Sequence, residues 1–289
     1  MKRGIIIFAR NNGYIDYIKI ACAAAGYARK NLSKFDEICL ITDEISLEAN
    51  PRLVDKYFDR TIVSNDYQPE NTRLFKDTAD RPEYASFKNM GRSEVYELSP
   101  YEETLVIDCD YFIMNDTLDQ VWGSENDFMI NYRFRDVAGR HESNIAYIDE
   151  FTIPMCWATV FYFRKSDFAE NLFDIITHIK YNYKYYYALY NCSGNLYRND
   201  FAFAMALHII NGSVANRVPE LPMDYLNNSF DLDDIYRVNS ANDMIMYSAK
   251  PENITEYVLS RFTNTDLHIM NKKALLRHVD TMLEMGEQV

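Results

Sequence analysis

Two aspartates one residue apart, Asp108 and Asp110, lie within the run TLVIDCDYFIMN, Thr104 to Asn115. The residues before them, Thr104 to Ile107, suit a buried β-strand, and uncompensated charge at the end of such a strand is costly. In an open α/β sheet, ligands bind outside the carboxyl ends of the strands, where this pair would lie. Two carboxylates there offer hard oxygen ligands to Mg2+ or Mn2+, ions that keep further positions for phosphate oxygens and water. The plainer reading is a turn in which an aspartate caps the next helix. Asn115 or Asp116 can cap the short helix expected in DTLDQVW, which leaves Asp108 and Asp110 to be accounted for. The same pattern recurs at Asp231 and Asp233, in the polar stretch SFDLDDIYR. No strand is expected before it, and it reads as a loop or helix start.

Lys88 and Arg92 come shortly before the acidic pair, four residues apart and so on one face of an expected helix. By charge either could bind a diphosphate or a sugar carboxylate, and Arg92 could take two oxygens at once. A salt bridge to Glu94 or Glu97 is the competing role. Asp200 begins the apolar helix RNDFAFAMALHIING, where N-capping by Asn199 or Asp200 explains the same residues.

The elements that must position these residues can be read along the chain. GIIIFA (Gly4 to Ala9) is a buried strand of the parallel type, and Tyr14 to Asn31 has helical spacing. EICLITDE and RTIVSND give a second and third strand, so the opening implies a right-handed βαβ unit and a mostly parallel sheet. Residues from about Tyr67 to Tyr84 have the polarity of a surface loop. Phe87 to Glu103 suggests a helix ending near Ser99 and Pro100. DFMINYRF and CWATVFYFRK are further strands, Phe168 to Tyr190 is a long helix, and Arg198 to Gly212 is a helix stopped by glycine. The tail holds NITEYVLSRF and, after a break, another amphipathic helix in NKKALLRHVDTMLEM. With no internal repeat or linker, one α/β domain over residues 1–289 is expected.

Composition narrows the function classes. A formal net charge of −13 argues against a surface that grips nucleic acid by broad phosphate neutralisation, although a local basic groove is compatible with it. The five cysteines are scattered, odd in number and without a CxxC pair, which speaks against a disulfide scaffold or zinc site and for reduced thiols in the cytoplasm. The apolar run in MKRGIIIFARNNG is too short for a signal peptide, and no segment approaches a membrane span. Tyrosine and phenylalanine, 23 and 17 residues, supply rings for a core and for a sugar or nucleotide site. No nucleophile elbow supports a serine or cysteine hydrolase.

The segment from YELSPYEE through TLVIDCDYFIMND resembles the central part of GT-A-fold glycosyltransferases, especially the glycogenin-type retaining enzymes. IIIFARNNGYIDY resembles that family's first strand and nucleotide-facing loop, and ICLITDE its second strand. A fainter likeness runs to glycosyltransferase-like proteins of tailed phages. The resemblance implies an α/β, Rossmann-like fold with a mostly parallel central sheet flanked by helices. It implies a nucleotide-sugar-binding part over 1–115, then an acceptor-side part over 116–289 with a C-terminal metal- and phosphate-binding segment. Asp108 and Asp110 would hold Mn2+ or Mg2+ against the diphosphate of a nucleotide-sugar, with UDP as the nucleotide. A late histidine completes the family's metal site and a nearby lysine contacts phosphate. In DLHIMNKKALL these become His268 and either Lys272 or Lys273. Lys88 or Arg92 would help hold the donor, Arg10, Asn11 and Tyr14 would face base and ribose, and Asp200 would sit near the donor sugar. Where the family's strand carries Asn-x-Gly, this chain has WATVFYF, beginning at Trp157.

The expected activity is transfer of a sugar to an acceptor hydroxyl with retention. The acceptor is open among a glycan, a protein, a small molecule and a hydroxylated DNA base, the last suiting the phage likeness. A non-catalytic sugar-nucleotide-binding protein is an alternative. So is a sugar-nucleotide pyrophosphorylase, against which stands the single glycine of ARNNGYIDY.

Overall fold

Ile5, Ile6 and Ile7 have no exposed surface, as an unbroken aliphatic run requires when both faces of its strand are covered. They lie in β1 (Arg3–Phe8), which is followed by α1 (Tyr17–Asn31), β2 (Glu37–Thr42), α2 (Glu44–Ala49), α3 (Pro51–Tyr57) and β3 (Arg60–Val63). Next come β4 (Thr72–Phe75), β5 (Glu83–Ser86), and a 3-10 turn at Gly91–Glu94 running into α4 (Val95–Leu98). β6 (Glu103–Asp108) and β7 (Tyr111–Phe112) bracket the acidic pair, and β8 (Phe128–Asn131), β9 (Phe134–Asp136) and β10 (Trp157–Arg164) follow. The helices α5 (Asp167–Tyr181), α6 (Tyr183–Leu189) and α7 (Asn199–Ile210) precede β11 (Leu226–Ser229), β12 (Asp234–Ser240) and β13 (Asp243–Ala249). β14 (Tyr257–Thr263), β15 (Leu267–Ile269) and α8 (Lys272–Glu287) complete the chain. This computed structural model describes residues 1–64, 72–75, 83–86, 91–140, 147–148, 153–192, 197–214, 217–250, 253 and 255–287, with 72–75 and 83–86 as backbone alone.

The central sheet has six strands in the order β3-β2-β1-β6-β10-β8. The first four run parallel, and β10 is antiparallel to both its neighbours. The expected mostly parallel sheet flanked by helices is therefore present. A smaller sheet, β7-β15-β11-β9, starts where β6 ends, and β12-β13-β14 forms an antiparallel sheet of its own. Two close approaches set the packing. A Cβ on Gly4 would lie 2.2 Å from the Tyr101 ring, and one on Gly286 would lie 3.0 Å from the Gly26 backbone, where α8 meets α1. Only glycine lets those two helices come so near.

Several elements differ from the sequence expectations for identifiable reasons. α1 begins at Tyr17, because Asn12 Oδ1 accepts from the amides of Tyr14 and Ile15 and Asp16 caps the helix through Lys19 N, 3.0 Å away. The loop expected from Tyr67 to Tyr84 contains, in its described part, the β4–β5 hairpin. Of the helix expected from Phe87, residues 87–90 lie outside the described residues, and the described part is helical over Gly91–Leu98, its first turn 3-10. DFMINYRF splits between two sheets because Asn131 Oδ1 takes the Arg133 amide at 3.0 Å and turns the chain. The long helix breaks at Asn182, whose amide bonds the carbonyls of His178 and Ile179. Against the expectation of no strand before SFDLDDIYR, β11 ends at its first residue, Ser229, and the chain then turns at Phe230–Asp233 into β12; NITEYVLSRF contributes strand β14.

Candidate metal centre

β6 ends on Asp108, which pairs in register with Phe8 at the end of β1. The acidic pair thus lies at the carboxyl end of the central sheet, beside the loop that leaves β1. Two residues later β7 pairs antiparallel with β15, setting Tyr111 opposite His268, and Ile269 N donates to Asp110 O at 3.0 Å. This short ladder carries the C-terminal segment to the acids. Ligand atoms of Asp108, Asp110 and His268 all lie within 4.8 Å of one another, and His268 Nε2 is 3.3 Å from Asp110 Oδ2. Two carboxylate oxygens and one imidazole nitrogen suit Mn2+ or Mg2+ and leave coordination positions open. The residues present therefore fit the ion that the resemblance implies.

Cationic side chains surround the acids. Lys272, buried at the start of α8, pairs its ammonium with Asp110 and also donates to the carbonyls of Met270 at 2.9 Å and Ile269 at 3.3 Å. Burial alone would raise the Asp110 carboxyl, but Lys272 and His268 outweigh it and hold the group well below the usual carboxylate range. Arg92, 3% exposed, pairs with Asp108 and donates to the carbonyl of Ala158. The competing acid Glu94 accepts from Lys180 at 2.7 Å. Between Lys272 and Lys273, the structure brings Lys272 to the acids.

Ala158 joins a second group to the site. Its amide donates to Asp200 Oδ1 at 3.0 Å, and Arg198 Nη2 reaches Asp200 Oδ2 at 3.1 Å. The Asp200 side chain thus bonds the β10 backbone and Arg198; the N-cap position of α7 is Arg198, which makes no side-chain cap bond. Trp157, the preceding residue on β10, stacks on Phe134 with centroids 4.7 Å apart. In the loop after β1, Arg10 donates to Ser64 O at 3.0 Å and Asn11 Oδ1 accepts from Ile18 N at 3.1 Å, so both help to shape that loop. The Tyr14 ring is exposed. Lys88 lies outside the described residues. In the short 3-10 helix after the acids, Thr117–Val121, the cap position is Asp116, which makes no side-chain cap bond, and Asn115 Oδ1 just before it accepts from Thr117 N at 2.8 Å.

Asp266 is a residue that sequence reasoning missed. Buried behind the centre, it accepts from Met114 N at 2.6 Å, Asn115 Nδ2 at 2.9 Å and Tyr111 Oη at 3.2 Å, tying the chain after β7 to the start of β15. Burial pushes its carboxyl up to about 7 despite these donors. In the polar run TNTD, only its place two residues before His268 could have pointed to it.

No protein-family model matches the chain, and no curated protein does. Similar solved structures include the glycosyltransferase GlyE of Streptococcus pneumoniae TIGR4, at 12% identity and a TM-score of 0.43, over 71% of this chain and 43% of that one. The chain thus spans less than half the length of GlyE. The galactosyltransferase LgtC, in complex with donor and acceptor sugar analogs, is 14% identical with a TM-score of 0.42, over 71% of this chain and 70% of that one. Mouse xyloside xylosyltransferase 1 is 13% identical with a TM-score of 0.43, over 74% of this chain and 84% of that one. Among the described residues, no helix is long and apolar enough to cross a membrane.

Proposed function

We propose that this chain is a metal-dependent glycosyltransferase of the GT-A type, moving a sugar from a nucleotide-sugar, a UDP-sugar by resemblance, to an acceptor hydroxyl with retention. The observation that carries the proposal is the convergence of Asp108, Asp110 and His268 at the carboxyl end of the central sheet, with Lys272 against them. A turn aspartate needs neither the histidine nor the lysine. Bound to these three residues, Mn2+ or Mg2+ would neutralise charge developing on the departing nucleoside diphosphate.

The chain's own groups then have distinct tasks. Lys272, released from Asp110, offers its ammonium to the diphosphate. Arg92 orients Asp108 and adds positive charge beside it. Asp200, fixed by the Ala158 amide and Arg198, faces the donor sugar and favours positive charge at the anomeric carbon. The loop carrying Arg10, Asn11 and Tyr14 adjoins the end of β1 and borders the nucleotide. Under a front-face course the leaving phosphate accepts the acceptor's proton, so no strong protein base is needed. Residues 1–115 form the donor part of one unit, and 116–289 supply the acceptor side and the segment that closes the centre.

The test is calorimetric titration of a panel of nucleotide-sugars, with Mn2+ and with chelator, on wild type and Asp110→Ala. Binding of one donor that needs both the metal and Asp110 supports the proposal and names the sugar to try in transfer. Binding indifferent to both returns the acidic pair to a turn.

A further inference from the structure

We propose that Asn228 becomes the positioning residue for His268 when a metal is bound: its side-chain carbonyl, which has no partner in this structure, then accepts from His268 Nδ1 and leaves Nε2 bare toward the acids. The inference rests on the metal reading for its purpose and on β-sheet geometry for its evidence.

Asn228 on β11 and His268 on β15 are register partners in a parallel pair. Their side chains therefore rise from the same face of the sheet, about 4.8 Å apart at the backbone. Each has one unmatched polar atom. His268 Nε2 faces Asp110, while Nδ1 makes no hydrogen bond among the described residues. Asn228 is 4% exposed; its Nδ2 donates to Met270 Sδ at 3.5 Å, and its Oδ1 is buried with no partner. A buried acceptor left without a donor costs ~1–3 kcal/mol, so this oxygen favours any donor within reach.

The neighbouring positions in the same row are already taken. Asp136, the register partner of Asn228 on β9, is held by Arg140. Tyr111, the register partner of His268 on β7, donates to Asp266. Asn228 is thus the adjacent residue with an acceptor to spare, and a metal-ligating histidine nearly always donates its second nitrogen to a carbonyl or carboxylate. A neutral amide in this role fixes the tautomer without adding charge to a site that already holds two carboxylates.

The test uses the full chain labelled with 15N-histidine, with His268 assigned among the five histidines from the spectrum of His268→Gln. In wild type with Mg2+, long-range proton–nitrogen correlation should show His268 protonated on Nδ1, whereas without metal Nε2 carries a proton toward Asp110. Asn228→Leu should lose that preference and weaken Mn2+ binding about 10–100-fold. Asn228→Asp, which keeps an acceptor, should retain the tautomer and bind Mn2+ at least as tightly as wild type. Should the leucine variant fail to fold, Asn228→Asp decides alone, since loss of the Nδ1–H tautomer there overturns the proposal. A folded leucine variant with unchanged tautomer and Mn2+ affinity within twofold also overturns it. Failure of Mn2+ to bind wild type would remove the metal reading, and the positioning role of Asn228 with it.

Discussion

The chain carries two Asp-x-Asp stretches, and the structure gives them different fates. Asp108 ends a strand at the mouth of the sheet and Asp110 follows it, and among the described residues they meet Arg92 and Lys272, with His268 alongside. Asp233, from the second stretch, has no exposed surface and shares Arg140 with Asp136. That guanidinium makes two parallel bonds of 3.0 Å to Asp136 and one of 2.5 Å to Asp233. A forked arginine holding two buried acids is a lock, whereas a lysine is a point charge that a divalent ion can displace. The two regions also connect. Asn271 Nδ2 donates to the carbonyl of Asp233 at 2.9 Å while its Oδ1 caps α8 through Ala274 N, setting the helix start that carries Lys272. The motif identifies neither fate; the partner cation does.

Arg140→Leu breaks the lock and leaves two buried carboxylates without their cation. Urea unfolding should show a loss of about 3–5 kcal/mol, and a loss below about 1 kcal/mol would reduce the second region to a surface pair.

The regions should also respond differently to pH. In the lock, burial alone would raise Asp136, but the hydrogen bonds from Arg140 outweigh it and lower the carboxyl, so its contribution persists above the usual carboxylate range and fades only in acid. Behind the candidate metal centre Asp266 rises from 3.8 to about 7, so its contribution is full below 3.8 and is lost as pH climbs through 7. Asp266→Asn should therefore gain on wild type across that window, by up to about 4 kcal/mol on the alkaline side, in unfolding measured from pH 4 to pH 8. A difference that does not change with pH would mean Asp266 is charged throughout.

Asn271→Ala should cost about 0.5–2 kcal/mol as a lost cap, and should weaken donor binding with it, because the helix start that presents Lys272 loosens. Cost without any effect on donor binding would uncouple the two regions. The smallest expected change is the most specific: Lys272→Met should tighten Mn2+ binding severalfold in the absence of donor, having removed the cation that competes for Asp110, while weakening donor binding. Equal affinity for Mn2+ in both proteins would show that Lys272 is no competitor.

The parts that were legible in the sequence are those whose cause is local. The aliphatic runs of β1, β2 and β6 mark strands buried on both faces, and the abrupt acids after Val106 and Ile107 mark the end of a sheet. Arg92 was visible as a cation near the acids, but its partner proved to be Asp108. The β7–β15 ladder was not visible, since strands of two and three residues are too short to show a period. β14 was obscured for another reason: Tyr257, Val258 and Leu259 are all exposed, so neither face alternates. His268 and the lysines were found only through resemblance to a family, and the Arg140 lock joins residues 136–140 to Asp233, 93 residues beyond Arg140. Pairings of that kind depend on tertiary closure, which leaves no local pattern.

The most direct test of the central claim is a titration of Mn2+ followed by electron paramagnetic resonance, on wild type, Asp110→Asn and Asp233→Asn. The account predicts one Mn2+ site per chain in wild type, kept by folded Asp233→Asn and lost in Asp110→Asn. Equal binding by all three would contradict it, because the two acidic stretches would then be alike after all.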